Sequence, residues 1–115
     1  MSLDVYLEIE VNTGGPEPRT FLLFEANYTH NLNKMADEAE IYHAVWRPDE
    51  IGIKTAAQLI EPLRKGIALM ESDPERFKKF NPSNGWGEYE SFLVWLRTYL
   101  RECEDNPLAT VSVSR

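Results

Sequence analysis

The stretch LDVYLEIEV, residues 3–11, alternates apolar and polar side chains and is rich in residues that favour extended backbone. Such alternation is typical of a β-strand with one face on a hydrophobic core. The turn-forming stretch NTGGPEP, residues 12–18, separates it from TFLLFEA, residues 20–26, which has the composition of a second strand. Two strands joined by a turn of this kind predict an antiparallel hairpin.

The second predicted strand, residues 20–26, is apolar on both faces. A strand of this composition is covered on both sides, or its hairpin packs against a partner chain. The sequence therefore leaves a homo-oligomer open.

From residue 32 the spacing of apolar residues changes to three and four, which is the period of an amphipathic helix. The first helix is expected to begin near Asn31, with Thr29 or Asn31 as its N-cap, and to end before Pro48. A second helix is predicted from Thr55 onward, and Pro62 inside it should kink or divide it.

A short helix is expected from Asp73 to Phe80, because Asp73 is a good N-cap and a proline follows at the first helical position. The last helix is predicted from about Tyr89 to Cys103. Cys103 is the only cysteine, which excludes an intrachain disulfide and favours a buried apolar role for its side chain.

The stretch TVSVS, residues 110–114, alternates again near the end of the sequence. A terminal strand persists only when it is paired, and the first strand offers a free edge. We therefore predict an α+β fold in which a three-stranded antiparallel sheet of order 2-1-3 is packed by about three helices. Residues 1–115 should form a single globular domain, since 115 residues with 43% hydrophobic content support one core.

The formal net charge is −7, from 19 acidic and 12 basic residues. This balance disfavours DNA or RNA as a partner, because neutralisation of phosphates supplies most of the affinity for those polymers. No apolar stretch approaches the roughly 20 residues that cross a bilayer, and the first residues lack the pattern of a signal peptide. A cytoplasmic protein without membrane contacts is therefore expected.

The first candidate site is the stretch NYTHN, residues 27–31. Its members with polar side chains for a ligand are Asn27, Thr29, His30 and Asn31. They lie where a strand is predicted to end and a helix to begin, a place where exposed N–H groups and side-chain donors can hold a phosphate or carboxylate. The alternative is ordinary helix capping, for which Thr and Asn are common residues.

The second candidate site is the stretch NPSNGWG, residues 81–87. Asn81 and Asn84 offer amides, and the indole of Trp86 offers a stacking face for a base or another planar group. Its glycines would let the backbone approach a ligand closely. The alternative is a tight turn whose Trp86 is inserted into the core.

Arg47 is a third candidate, since its guanidinium could bind a phosphate in a forked geometry, although a helix-terminal arginine also complements the helix dipole. The sequence contains no phosphate loop, nucleophile elbow or zinc-type cysteine spacing, so we assign no catalytic residue, metal or cofactor. His30 acting as a general base beside an acidic partner stays open as the enzyme alternative.

Seven motifs cover nearly the whole chain: MSLDVYL (1–7), ANYTHNL (26–32) with Met35 and Ala36, WRPDE (46–50), LIEPL (59–63), DPERF (73–77), NPSNGWG (81–87) and VSVSR (111–115). Together they resemble a family of small proteins encoded by bacteriophages and prophages. Residues 13–19 have no counterpart in it. The resemblance implies a phage origin and action inside an infected bacterial host, but no mechanism. Small non-structural phage proteins often counter host defences, some of which signal through nucleotide-derived messengers.

These observations favour a protein that binds a small nucleotide-like or anionic ligand, which it could sequester from host immunity. Two alternatives remain, a direct protein inhibitor of a host defence enzyme and a small hydrolase that uses His30. We also predict that residues 27–31 and 81–87 converge on one pocket, because each precedes a helix packed over the same sheet.

Overall fold

The computed structural model describes residues 2–83, 85 and 87–115. Strands β1 (Ser2–Val11), β2 (Arg19–Thr29) and β3 (Thr110–Ser114) form an antiparallel sheet in the order β2-β1-β3. This confirms the predicted α+β fold, the hairpin and the pairing of the last strand with the first.

One face of the sheet forms the floor of the core. Leu3, Val5 and Leu7 of β1 are fully buried on this face, as strict alternation requires. Residues directly opposite in an antiparallel pair share a face, so Tyr28 opposite Leu3 and Phe24 opposite Leu7 extend the same floor into β2.

The far end of the hairpin extends past the core. The register of β1 and β2 shifts between Leu7 and Glu8, and β3 pairs with β1 only from Asp4 to Glu8. Beyond the shift, five large apolar side chains are between 37% and 54% exposed. They are Ile9, Val11, Phe21, Leu22 and Leu23. The described residues of the chain therefore do not cover the apolar strand on both sides.

The helices come between β2 and β3 in the chain and form a layer on the core face of the sheet. They are α1 (Asn33–Glu38), α2 (Tyr42–Trp46), α3 (Ala56–Ser72), α4 (Pro74–Lys78) and α5 (Tyr89–Asp105), with single 3₁₀ turns at His30–Leu32 and Pro48–Ile51. In the part of the chain that the structure describes, no helix combines the length and the apolar composition that spanning a bilayer requires.

The prediction of one helix from Asn31 to residue 47 is wrong. Glu40 adopts a left-handed conformation, with φ of 63°, and separates α1 from α2. The N–H of Ile41 donates to the carbonyl of Ala36 at 2.9 Å, and the N–H of Glu40 donates to that of Asp37 at 3.0 Å. These two bonds form a Schellman motif, which ends α1.

Helix α3 begins where the sequence predicts, since Thr55 and Gln58 form a capping box at its first turn. Pro62 does not divide it, and α3 continues to Ser72. Leu59 and Leu63 are fully buried on either side of the proline, so core packing holds the helix across it.

The two later helices match their predictions within a few residues. Asp73 caps α4 through its carboxylate, which accepts from the N–H of Arg76. Cys103 is fully buried in the last turn of α5, as expected for the lone cysteine, and burial raises its pKa to about 12.

A continuous row of aromatic rings runs through the core from β2 to α2. Neighbouring ring centroids along the row are 5.5 to 6.2 Å apart, within the range of favourable aromatic pairs. The row consists of Phe24, Tyr99, Trp95, Phe92, Trp46 and Tyr42.

Candidate functional site

A cleft of about 470 Å³ lies beside two of the predicted site residues. We call it the arginine cleft. It is lined by His30, Asn33, Tyr42, Trp46, Arg47 and Arg115. Two of the predicted ligand residues, His30 and Arg47, are thus brought together although 17 positions separate them in the sequence.

The indole of Trp46 orients His30. Its Nε1–H donates to Nδ1 of His30 at 2.9 Å. An indole nitrogen can only donate, so Nδ1 must be the unprotonated nitrogen of the neutral ring and Nε2 must carry the proton. Nε2 is buried and has no hydrogen-bond partner among the described residues. The Nε2–H of His30 is therefore a buried donor without an acceptor among the described residues.

Arg47 is held by a phenol and a carboxylate. Its Nε donates to the hydroxyl of Tyr42 at 3.0 Å, and its terminal nitrogen donates to Oε2 of Glu50 at 2.7 Å. These hydrogen bonds, the one to Tyr42 first, raise the pKa of Arg47 above its usual value. The guanidinium therefore stays cationic at any working pH and has a fixed orientation at the edge of the cleft.

Arg115 reaches the cleft because β3 runs along β1 and ends beside the chain segment after α2. Its guanidinium donates to the carbonyl oxygen of Trp46 at 3.2 Å and to Oδ1 of Asp49 at 3.1 Å. The hydrogen bond from Arg115 lowers the pKa of Asp49 below its usual value. The other terminal nitrogen of Arg115 lies 3.9 Å from Oε2 of Glu50.

The two guanidiniums therefore share one carboxylate oxygen. Oε2 of Glu50 is 2.7 Å from Arg47 and 3.9 Å from Arg115. The side chains of Arg47 and Glu50 are 38% and 44% exposed, and exposed ion pairs contribute little to stability. An incoming oxyanion can thus replace the carboxylate of Glu50 at small cost and contact both arginines.

A second cleft of about 410 Å³ lies on the other side of Arg115. Its lining includes Pro48 and Ile53 together with Val111 and Val113 of β3. Asp49 and Ser112 line the second cleft as well. Arg115 lines both clefts, so a ligand whose anionic group lies at the arginines has a space of mixed polar and apolar lining on either side.

The remaining predicted ligand residues that the structure describes have local hydrogen bonds outside the arginine cleft. The amide of Asn27 donates to Oδ1 of Asp4 at 2.7 Å, across the β1–β2 ladder. Thr29 accepts from the N–H of Asn31 at 3.2 Å and caps the 3₁₀ turn. Asn81 accepts from the N–H of Tyr89 at 2.8 Å, at the start of α5. The bond of Thr29 matches the capping alternative, whereas the bond of Asn27 is a cross-strand contact.

The second predicted turn approaches the first at Gly87. A Cβ built on Gly87 would stand 2.8 Å from Cγ2 of Thr29 and 3.2 Å from Leu32, so this position tolerates only a glycine. Tyr28 and Ser91 share a hydroxyl–hydroxyl hydrogen bond of 2.5 Å nearby. The described residues of the second turn do not line the arginine cleft. Asn84 and Trp86 lie outside the described residues, so their predicted roles stay predictions.

Sequence reasoning missed Tyr42, Asn33 and Arg115 as cleft residues. Tyr42 matched the apolar stripe of a helix, and Arg115 followed a strand that was recognised only for its alternation. The position of Arg115 could have been inferred from the sequence, because pairing of the last strand with β1 necessarily brings the following residue to one end of the sheet.

No metal site accompanies the cleft, since the described residues bring no three His, Cys, Asp or Glu side chains together as ligands. Comparisons with protein-family models, with curated proteins and with solved structures gave no match to this chain.

Proposed function

We propose that this protein binds a small anionic, nucleotide-like ligand in the arginine cleft and holds it without chemical change. The observation that carries the proposal is the position of Glu50, whose Oε2 lies within 4 Å of the guanidiniums of both Arg47 and Arg115. A phosphate or carboxylate oxygen at this point would accept a hydrogen bond from Arg47 and lie within ion-pair distance of Arg115.

The lining of the cleft supports a planar group beside the anion. The ring of Tyr42 lines the cleft and stacks on Trp46 with an interplanar angle of 14°. Aromatic rings provide stacking contacts for bases that do not depend on sequence. The volume of about 470 Å³ also falls within the usual range for small-molecule sites.

The geometry of His30 favours binding over hydrolysis. A general base needs a free lone pair, and the lone pair on Nδ1 accepts the indole N–H of Trp46. Nε2 carries the proton and is buried, so His30 has no free lone pair to offer as a base. The hydrolase alternative would require this arrangement to change before each turnover.

The resemblance to phage-encoded proteins adds a biological role for this binding to the proposal. A phage protein that binds nucleotide-like anions tightly would lower the free concentration of a host immune messenger of that chemistry. Sequestration needs affinity and abundance but no catalytic group. This agrees with the hydrogen bond from Trp46, which occupies the lone pair that His30 would need as a general base.

The test is a thermal-shift and calorimetry screen against inorganic phosphate, pyrophosphate, nucleoside monophosphates and cyclic dinucleotides. A binding nucleotide should raise the melting temperature of the wild type, because a ligand that binds only the folded state stabilises it. The double variant Arg47→Ala/Arg115→Ala should lose this shift. Arg101→Ala is the matched control, since Arg101 is an exposed arginine on α5 away from the cleft, and it should bind normally.

Three results would contradict the proposal. A flat response to the whole set would favour a direct protein inhibitor of a host enzyme. Equal binding by the double variant would remove the arginine cleft as the site. Recovery of a cleaved nucleotide after heat denaturation of the complex would favour the hydrolase.

A further inference from the structure

The outer edge of β2 is an unpaired strand edge. In the sheet order β2-β1-β3, β2 has β1 as its only neighbour among the residues that the structure describes. Its stretch TFLLF, residues 20–24, carries no charge, and the nearest charges are Arg19 before it and Glu25 after it. An exposed apolar strand edge is a template for pairing with another chain.

The side chains of this stretch are also uncovered. Phe21, Leu22 and Leu23 are 47%, 54% and 43% exposed, and Ile9 and Val11 of β1 continue the patch. Phe21 lies opposite Ile9 and Leu22 lies opposite Glu8, so apolar side chains stand on both faces of the strand. A partner that covers both faces at once must continue the sheet rather than pack on one side of it.

We propose that β2 pairs antiparallel with β2 of a second copy of this chain, which joins the two sheets into one continuous sheet across a two-fold axis. The segment is self-complementary in this arrangement. Every apolar residue of one copy meets an apolar residue of the other when the two stretches run in opposite directions. A two-fold contact of this kind closes on itself and yields a dimer.

The bulge in β2 sets the register. Phe21 and Phe24 both lie opposite core-face residues of β1, whereas Leu22 lies opposite Glu8 on the other face and Leu23 is the inserted residue. Opposed residues must share a face. This condition is met when Phe21 lies opposite Phe24 of the second copy and Leu22 lies opposite its Leu23. Thr20 then lies opposite Glu25 of the second copy.

The flanking charges favour the antiparallel direction and a second copy as the partner. Arg19 and Glu25 stand at opposite ends of the uncharged stretch, with opposite signs. Antiparallel pairing places the positive end of one strand next to the negative end of the other at both ends of the seam. Parallel pairing would place like charges side by side, which is destabilising.

The first test is the mass of the wild-type protein in solution by sedimentation and light scattering over a range of concentrations. The expected species is a dimer of 13.3 kDa chains that dissociates on dilution. Leu22→Lys should weaken dimerisation by about tenfold or more, because it places a charge at the centre of the seam. Leu23→Lys serves as a second variant at a residue that is also exposed in the single chain.

Leu108→Lys is the matched control, since Leu108 is 85% exposed and lies between α5 and β3, away from β2. It should dimerise like the wild type. A monomer at every concentration would overturn the proposal, as would larger open assemblies or an unchanged dimer in both β2 variants.

The second test is disulfide cross-linking, which distinguishes the register. A mixture of Thr20→Cys and Glu25→Cys chains should form a cross-linked heterodimer on mild oxidation, while Thr20→Cys alone should not. Cys103 does not compete, because it is fully buried. Cross-linking of Thr20→Cys with itself would show parallel pairing and overturn the register. Leu22 lies outside the arginine cleft, so nucleotide binding by Leu22→Lys separates this proposal from the proposed function.

Discussion

The indole Nε1 of Trp46 lies 2.9 Å from Nδ1 of His30, and this hydrogen bond determines which nitrogen of the histidine carries its proton. Trp46 is only 2% exposed, so a core residue controls a cleft residue. The tautomer of His30 is therefore a property of the folded core and not of the solvent around the cleft.

Trp46→Phe should remove the hydrogen bond to Nδ1 of His30 while keeping an aromatic ring in the core. In the wild type, long-range ¹H–¹⁵N spectra should show neutral His30 protonated at Nε2. In the variant, both tautomers should be populated, because the hydrogen bond that keeps the proton on Nε2 is lost. His43 is exposed and serves as the internal control. A wild-type spectrum with the proton on Nδ1 would contradict the hydrogen bond.

Glu50→Gln should raise the affinity for phosphate-containing ligands by about two- to fivefold, since the competing carboxylate is lost while the side chain keeps its size. Calorimetric titration measures the change. Glu104→Gln is the control, because Glu104 forms a comparable exposed pair with Arg64 far from the cleft. A decrease in affinity in Glu50→Gln would mean that Glu50 supports the bound ligand rather than competing with it.

Gly66→Ala should destabilise the fold by up to about 2 kcal/mol, because the cost of overpacking exceeds the gain in helix propensity. A Cβ at Gly66 would collide with Cγ2 of Ile41, which joins α1 to α2. Urea unfolding gives the change in free energy. In an Ile41→Ala background the same substitution should be neutral or stabilising, because the colliding atoms are gone. Additive effects in the double variant would exclude this contact as the cause.

The free energy of unfolding should fall as the pH rises from about 9 toward 12. Burial raises the pKa of the Cys103 thiol from 9.0 to about 12, so the unfolded chain releases this proton before the folded protein does. One such group lowers the free energy of unfolding by at most about 1.4 kcal/mol per pH unit in this window. Burial raises the pKa of Tyr99 as well and adds to the same slope.

Cys103→Ala separates the two groups. Denaturant unfolding at several alkaline pH values should show a shallower slope for the variant, with the contribution of Tyr99 remaining. In the wild type, thiol reagents at pH 8 should modify Cys103 only after unfolding. Rapid labelling of the native protein would contradict its burial.

The sheet could be predicted because the sequence patterns of its strands and turn are local and strong. Alternation in residues 3–11 and 110–114, with turn residues at 12–18, defines three strands, and the free edge of the first strand leaves one place for the last. Such patterns report which residues face a core. They do not report how far a hairpin extends beyond it, which depends on the helices that pack below.

The break between α1 and α2 could not be predicted from composition. Left-handed residues at helix ends are usually glycine or asparagine, and here a glutamate occupies the position at a cost of about 1 kcal/mol. Burial of Ile41, which is 1% exposed, fixes the chain direction there and outweighs this cost. Pro62 likewise lies inside α3 without dividing it.

The arginine cleft was predicted in part. His30 and Arg47 were selected for their chemistry, but their partners Arg115 and Tyr42 depend on which elements meet in space. Asn27 and Asn81 were selected for the same chemistry, but their side chains bond to Asp4 across the strands and to the N–H of Tyr89 at the start of α5. A single sequence cannot separate a polar side chain that completes a turn from one that faces a ligand.

The row of aromatic rings that joins Phe24 to Tyr42 gives the protein an intrinsic spectroscopic signal for both dimerisation and ligand binding. Closely spaced, rigid chromophores couple in the near ultraviolet, and the coupling depends on their mutual angles. One end of the row lies in the strand that would pair with a second copy, and the other lines the cleft. Dimerisation and ligand binding should therefore each leave a distinct signature in near-ultraviolet circular dichroism, without any attached dye.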